Sequence, residues 1–356
     1  MDTNKRLSLI KEVGQEIITE EELKELLKIK AQPIAYDGFE PSGRVHIAQG
    51  LLRAININKM TKAGCKFKML VADWFAFLNN KYKGDINKIK IAGEYFIEVW
   101  KACGLDEKKV EFIWSSELIK NPKYWELVMR IATMNSVDRI KRCAQIMGRS
   151  EEETLSAAQI FYPCMQAADV FYLNIDITQL GMDQRKVNVL TREMAPKLGY
   201  KKPIIVSHHM LLGLGEPPKG LEGAERAIAM KMSKSNPDTA VFIDDDREEV
   251  LRKIQKAYCP AKIIEDNPVL EYTKYIIFEI NNGLVIERPE KFGGKLKIKS
   301  YGELEELFKE GKIHPLDLKR SVANEINNLL DPIRKHFSKG KAKALMEKVK
   351  SFEATR

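Results

Sequence analysis

Two lysines, Lys231 and Lys234, stand three apart in "AIAMKMSKSNPDTAVF" (227–242), a turn-prone run between two apolar stretches. They form a pair of cations whose partner has to be read from the rest of the chain. An anion site is written more directly into "YDGFEPSGRVHIAQG" (36–50), where an apolar run ends, a Gly- and Pro-rich turn follows and a helix starts near His46. Free N–H groups and the dipole at such a helix start attract phosphate, and a histidine in the first turn adds a donor. A third set lies in "FYPCMQAAD": Tyr162, Gln166 and Asp169 are spaced four and three apart, so they share one helical face. Between Met165, Val170, Phe171 and Leu173, that face reads as the lining of a pocket. Gly213 and Gly215 carry no phosphate loop, because Pro218 occupies the place of a third glycine and no Gly-Lys-Ser/Thr follows.

These groups need a scaffold. Apolar runs at 33–36 and 67–73 flank "VHIAQGLLRAININKMTKAG", whose Ile47, Leu51, Ala54, Ile55 and Met60 have helical spacing. Strands are expected again at 110–114, 170–175 and 203–209, and helices at 86–103, 123–145 and 184–198. Alternating strands and helices of these lengths imply an α/β fold, a Rossmann-like doubly wound parallel sheet, with ligands gathered at the carboxyl ends of the strands. After "VFIDDD" helices dominate, at about 245–258, 268–280, 302–310, 315–330 and 331–350, with "ERPEKFGGKLKIKS" as an irregular or hairpin insert. A boundary near 245 divides 31–245 from a mainly α-helical 246–356. Residues 1–30 read as a charged amphipathic helical segment with no role beyond packing on the first domain.

The chain has 356 residues and a net charge of +9, of which +7 falls after residue 250. A basic C-terminal third suits an acidic partner, although charge alone also fits a solvated lysine-rich surface. No apolar run reaches the ~18–20 residues of a membrane-spanning helix, and "MDTNKRLSLIKEVGQEI" has charges where a secretory signal needs an apolar core. A cytoplasmic protein without a membrane association is expected. The five cysteines are scattered and form no Cys-x-x-Cys pair, so reduced thiols and no protein-bound metal are expected.

"HIAQ" at the first strand-to-helix turn and "KMSKS" about 185 residues later resemble the two signatures of class I aminoacyl-tRNA synthetases, His-Ile-Gly-His and Lys-Met-Ser-Lys-Ser. With "YDGFEPSGRVHIA", "FYPCMQAAD", "GMDQRK" and "HPLDLK" in this order, the chain from about residue 30 onward resembles the tyrosyl-tRNA synthetases of archaeal and eukaryotic type. The resemblance implies an ATP-dependent ligase that forms tyrosyl-adenylate and then esterifies the 3′ end of tRNA(Tyr), with Mg2+ carried on the phosphates of ATP. It implies catalytic roles for His46, Gln49, Lys231 and Lys234, and ATP contacts from Gly38, Glu40, His46, Asp183, Lys231, Met232, Ser233 and Lys234. Tyr36 and Asp169 would face the phenol of tyrosine, and Tyr162, Gln166 and Gln184 its α-amino end. In 246–356, Phe292, His314 and Asp317 would grip the first anticodon base, the ring by stacking and the acid by accepting from the base edge. An insertion around 115–165 would make a homodimer contact.

One departure is visible. The family's second signature histidine is Gln49 here, and its glycine is Ala48. Gln49 can donate a neutral hydrogen bond but never carries a positive charge. Two rival functions follow: a noncatalytic synthetase-like RNA-binding protein, and a tryptophanyl-tRNA synthetase, whose indole substrate would leave acceptor capacity at Tyr36 and Asp169 unused.

Overall fold

The computed structural model describes residues 1–143, 147, 154–221, 226, 229–232 and 236–352. Its centre is a six-stranded sheet made of β1 (Gly14–Ile18), β2 (Ile34–Phe39), β3 (Lys66–Val71), β4 (Val110–Trp114), β5 (Ile177–Gly181) and β6 (Ile204–His208), in the spatial order β1-β6-β5-β2-β3-β4. Every residue of β5 and β6 is buried, as expected for parallel strands covered on both faces. The parallel part of the sheet starts at β2 in the middle and winds outward both ways, so the switch point lies between β2 and β5. Among the described residues their ladder covers Ala35↔Ile177 and Tyr36↔Thr178 only. Beyond Tyr36 the two strands part, and a crevice opens where such folds bind ligands.

Local chemistry explains the covering helices. Asp85 caps Ile86–Ala102 by accepting from the N–H groups of Asn87 and Lys88, and the helix buries Ile89, Ala92, Tyr95, Phe96, Val99 and Trp100 at helical spacing. Ser156 and Gln159 form a reciprocal capping box at the start of Ala157–Tyr172, the helix of the polar face.

Four expectations are corrected. Residues 170–175 are not a strand. The helix runs through Tyr172, Asn174 turns in the left-handed region (φ 53°), and the strand is β5. Residues 123–143 form two helices, Pro122–Thr133 and Val137–Cys143, because Ser136 starts a new one by accepting from the Arg139 N–H at 3.2 Å. Helix Pro315–His336 continues past the expected break at 330, through Pro332, and Gly340–Ser351 follows. Residues 1–30 are not all helical: β1 lies between helices Thr3–Val13 and Glu20–Ile29 and pairs antiparallel with β6, so the sheet is mixed. Five residues are too few to show a strand period against two helices, and the open edge of β6 decides the matter.

After residue 245 come helices Arg247–Lys256, Pro268–Tyr272, Tyr301–Lys309, Pro315–His336 and Gly340–Ser351, and the expected hairpin appears as β7 (Leu284–Ile286) against β8 (Leu296–Ile298). The apolar core crosses residue 245 without a gap. One cluster joins Ile10, Phe67, Trp100, Ile243, Val250, Leu318 and Val349.

Candidate active site

The helix expected near His46 begins instead as one wide turn, Ala48–Leu52, with the Leu52 N–H donating to the Ile47 carbonyl at 3.1 Å, before regular helix Arg53–Lys62. The turn is clamped from residues 241–243, downstream of the other signature. The Ile47 N–H donates to Val241 O at 2.9 Å and the Ile243 N–H to Val45 O at 3.0 Å, around a His46↔Phe242 bridge. His46 and Phe242, 196 residues apart in the chain (242 against 46), are thus stitched together by backbone. His46 is buried there. Gly50 is needed for the contact, since a Cβ would lie 3.0 Å from Ile243 Cγ2 and 3.2 Å from Cys103 Sγ. Gln49 offers its carbonyl to Trp100 Nε1 at 2.9 Å, while its side-chain oxygen is buried without a hydrogen bond.

The polar helix face points as expected. Asp169 is fully buried, and Tyr36 on β2 donates to its Oδ2 at 3.3 Å. Tyr124, which sequence reasoning missed, donates to Oδ1 at 2.8 Å. Its signal was available: a tyrosine on the Leu127, Val128, Ile131 stripe of its helix is buried and needs a hydroxyl partner. Burial pushes the Asp169 carboxyl up to about 8, partly offset by the hydrogen bonds from Tyr124 and Tyr36. Among the described residues it has no cationic partner. One turn earlier, Gln166 Nε2 donates to Gln184 Oε1 at 3.1 Å, and Tyr162 donates to Glu40 Oε1 at 2.5 Å. Asn79 Nδ2 also donates to Glu40 at 3.0 Å, and Lys81 Nζ lies 3.9 Å from it. At Gly38 any Cβ would stand 3.2 Å from the Tyr36 hydroxyl and 3.4 Å from Leu70 Cβ.

Asp183 follows β5, and Lys231 Nζ lies 3.5 Å from its Oδ2. Met232 is buried. Ser233 and Lys234 lie outside the described residues. Behind Asp183 is a second buried set that no motif announced. Arg53 Nη1 is 2.5 Å from Asp37 Oδ2 and 2.9 Å from His208 Nε2, and the Gln179 amide is 2.7 Å from His208 Nδ1. Burial, reinforced by Arg53, holds the His208 pKa well below its usual 6.5, so the ring is neutral. Burial raises Asp37 to about 7 against the opposing pull of Arg53. The guanidinium also sits 4.3 Å over the Phe39 ring.

The remaining residues lie in the helical half, after residue 245. Phe292 is 60% exposed at the end of the turn Glu290–Phe292. His314 is the N-cap of Pro315–His336, accepting from the Leu316 N–H at 3.2 Å, and Asp317 stands in the first turn. Arg288 links the two parts: Nε donates to Gly294 O at 3.0 Å and Nη1 to Lys312 O at 3.3 Å.

Residues 28–331 match the family of class I tRNA synthetases for tryptophan and tyrosine. The chain belongs to that family. It is 54% identical to the cytoplasmic tyrosine–tRNA ligase 1 of Arabidopsis thaliana, over all of this chain and 90% of the relative. It is 44% identical to the tyrosine–tRNA ligase of Sulfolobus acidocaldarius, over 95% of each chain. In structure it resembles the tyrosyl-tRNA synthetase of Pyrococcus horikoshii complexed with L-tyrosine (TM-score 0.91, 40% identity, 99% of this chain and 100% of that one). It likewise resembles that of Leishmania major in complex with tyrosinol (TM-score 0.90, 44% identity), spanning all of this chain and 61% of that one. A tryptophanyl-tRNA synthetase from Aeropyrum pernix shares the fold at 18% identity and TM-score 0.68. Within the family the chain is of the tyrosyl type found in archaea and eukaryotes.

Proposed function

We infer that this chain is an ATP-dependent tyrosine–tRNA ligase. One observation carries the choice of amino acid: Asp169 is buried at the meeting point of two tyrosine hydroxyls, with acceptor capacity that a substrate phenol can use. A pocket built to hydrogen-bond a hydroxyl rejects the analogue that lacks it, because its own polar groups are then left unpaired; tyrosyl-tRNA synthetases are themselves the standard illustration of this rule.

In the first step a carboxylate oxygen of tyrosine bonds to the α-phosphorus of ATP, the bond to the bridging oxygen breaks, and pyrophosphate leaves. The carboxylate is ionised at neutral pH, so no general base is required; positioning and charge stabilisation suffice. Tyr36 and Asp169 hold the phenol, and Tyr162, Gln166 and Gln184 the α-amino end. Glu40, Gly38 and Asp183 border the adenylate. His46, Gln49, Lys231, Met232, Ser233 and Lys234 attend the phosphates, with Mg2+ entering as the counter-ion of ATP. In the second step a hydroxyl of the terminal tRNA ribose attacks the tyrosyl carbonyl, and AMP leaves. We assign catalysis to 31–245 and anticodon contact to 246–356, through Phe292, His314 and Asp317.

Pyrophosphate exchange into ATP tests this directly. Tyrosine should support it, while tryptophan and phenylalanine should not. Exchange with tryptophan would overturn the pocket, and no exchange with any of the three would make the chain a noncatalytic relative.

Met129, Met134 and Val137 are 42%, 38% and 57% exposed within 115–165. Large apolar side chains clustered on a surface favour an isologous homodimer there. Sedimentation should show a dimer, and a fully active, concentration-independent monomer would refute it. For location we propose the cytoplasm; among the described residues no helix is long and apolar enough to cross a membrane.

A further inference from the structure

The strand-like stretch after β6 is held at one backbone N–H by a side chain from the helical half of the chain. Glu271, on helix Pro268–Tyr272, accepts from the Leu212 N–H at 3.0 Å through Oε2. The same oxygen is 3.0 Å from His209 Nε2. His209 is itself fixed on two further sides: its Nδ1 is 3.1 Å from Gln15 Oε1, and its ring stacks on Tyr275 at 4.4 Å and 16°. Leu212 in turn bridges Lys231 antiparallel, and the Gly213 N–H donates to Met230 O at 2.7 Å. Leu214 continues the contact by donating to Thr239 O at 2.9 Å and accepting from the Tyr258 N–H at 2.8 Å.

We propose that Glu271 is a positioning residue for Lys231, setting the ammonium against the phosphates through the backbone of residues 212–213. The inference rests on the proposed role of Lys231 at the phosphates of ATP.

Lys231 Nζ already lies 3.5 Å from Asp183 Oδ2, so its reach is bounded on the sheet side. On the other side its main chain is fixed by the Leu212 bridge, and that bridge has little slack. A Cβ on Gly213 would stand 3.2 to 3.3 Å from the carbonyl oxygens of Thr239, Lys231 and Met230, so three backbone segments converge on one point. A carboxylate suits the junction because it can accept from Leu212 and face His209 at once. Without it, the Leu212 N–H must find another acceptor and the bridge can shift. A displacement of about 1 Å in a positioned catalytic group costs on the order of a hundredfold in rate.

The test uses the full-length chain and single-turnover adenylate formation. Glu271→Ala should slow adenylation by about ten- to a hundredfold, with KM for tyrosine within about twofold of the parent, because the tyrosine pocket is built from other elements. Glu271→Gln keeps an acceptor for Leu212 and should restore the rate to within about threefold of the parent. The decisive arm is a double-mutant cycle. In a Lys231→Ala background, Glu271→Ala should slow the reaction by no more than about twofold further, since the group it positions is gone. Active-site titration normalises every rate to folded enzyme, and Glu98→Ala, which breaks an exposed contact with His336 at 3.1 Å, serves as a control with parental adenylation. Additive losses in the cycle, a parallel rise in tyrosine KM, or parental adenylation in Glu271→Ala would overturn the positioning role. Parental adenylation in Lys231→Ala alone would instead overturn the phosphate reading on which it rests.

Discussion

The residues proposed for the tyrosine pocket, Asp169 with Tyr36 and Tyr124, and those proposed for the anticodon, Phe292 and Asp317, differ in solvation. Asp169 is fully buried between two phenols, and its neighbours are fixed by hydrogen bonds before any ligand arrives. Phe292 is 60% exposed, and Asp317 stands in a helix first turn, its N–H donating to the His314 carbonyl at 3.0 Å. A buried acceptor discriminates by what it leaves unpaired, whereas an exposed ring stacks on any base, so that in the proposed anticodon contact the choice would fall to Asp317. The buried site should therefore respond to substitution with larger and more specific losses.

The largest effect is expected at the proposed phosphate contacts. Lys234→Ala should lower the adenylation rate constant by about 10²–10³-fold with tyrosine affinity little changed, because the charge it meets grows as pyrophosphate departs. Normal single-turnover adenylation in that variant would remove Lys234 from the mechanism.

Next comes Asp169. Asp169→Ala should reduce the preference for tyrosine over phenylalanine by about ten- to a hundredfold, the cost of one or two buried hydrogen bonds. Intact selectivity with normal tyrosine activation would place the pocket elsewhere. The same residue leaves a mark on stability. Its carboxyl is raised from 3.8 to about 8 in the folded chain, so folding favours the protonated form. That contribution is complete below pH 3.8 and is lost as pH rises toward 8. Asp169→Asn should consequently flatten the decline in stability across that window, leaving the smaller slope from Asp37, and an unchanged slope in denaturant midpoints would show that Asp169 stays ionised.

The smallest effects are expected on the exposed surface. Asp317→Ala should relax discrimination at the first anticodon base by about tenfold, within the range of a single base-edge contact. Charging ratios equal to the parent's would end the anticodon assignment and leave the catalytic one standing. Lys341 and Lys343 are solvent-exposed, but Lys341 lies 2.9 Å from Glu94 and Lys343 3.7 Å from Glu347. Neutralising both should weaken all tRNAs alike by a small factor and flatten the salt dependence, since partnered lysines compensate fewer phosphates. Point substitutions are cleaner than truncation near residue 245. There Lys253, almost fully buried, bonds Asp245 Oδ2 at 2.6 Å and Ala240 O at 2.9 Å, so a cut would strip both contacts from residues 240–245.

The contrast also marks what the sequence disclosed. Tyr162, Gln166 and Asp169 were legible as one face because helical spacing is a local property, and β2, β3, β4 and β6 were legible from short apolar runs. The stretch 170–175 was misread because a buried helix end and a buried strand share the same apolar composition. Asn79 and Arg288 were invisible for another reason. Each matters through a partner distant in the chain or through a carbonyl oxygen, and neither leaves a trace in local pattern. The Asp37, Arg53, Gln179 and His208 set is the extreme case, drawn from β2, the following helix, β5 and β6.

The pairing of β1 with β6 has a consequence for biosynthesis. Ile17 opposes Val206, a separation of 189 residues, so at about 5–20 residues per second the ribosome supplies the partner strand roughly 10–40 s after β1 has been made. Until then residues 14–18 hold backbone donors and acceptors that nothing in the nascent chain can satisfy. Limited proteolysis of chains stalled just before and just after β6 should find the 14–18 segment cleavable in the first and protected in the second, and equal protection in both would show that helices Thr3–Val13 and Glu20–Ile29 shelter it unaided.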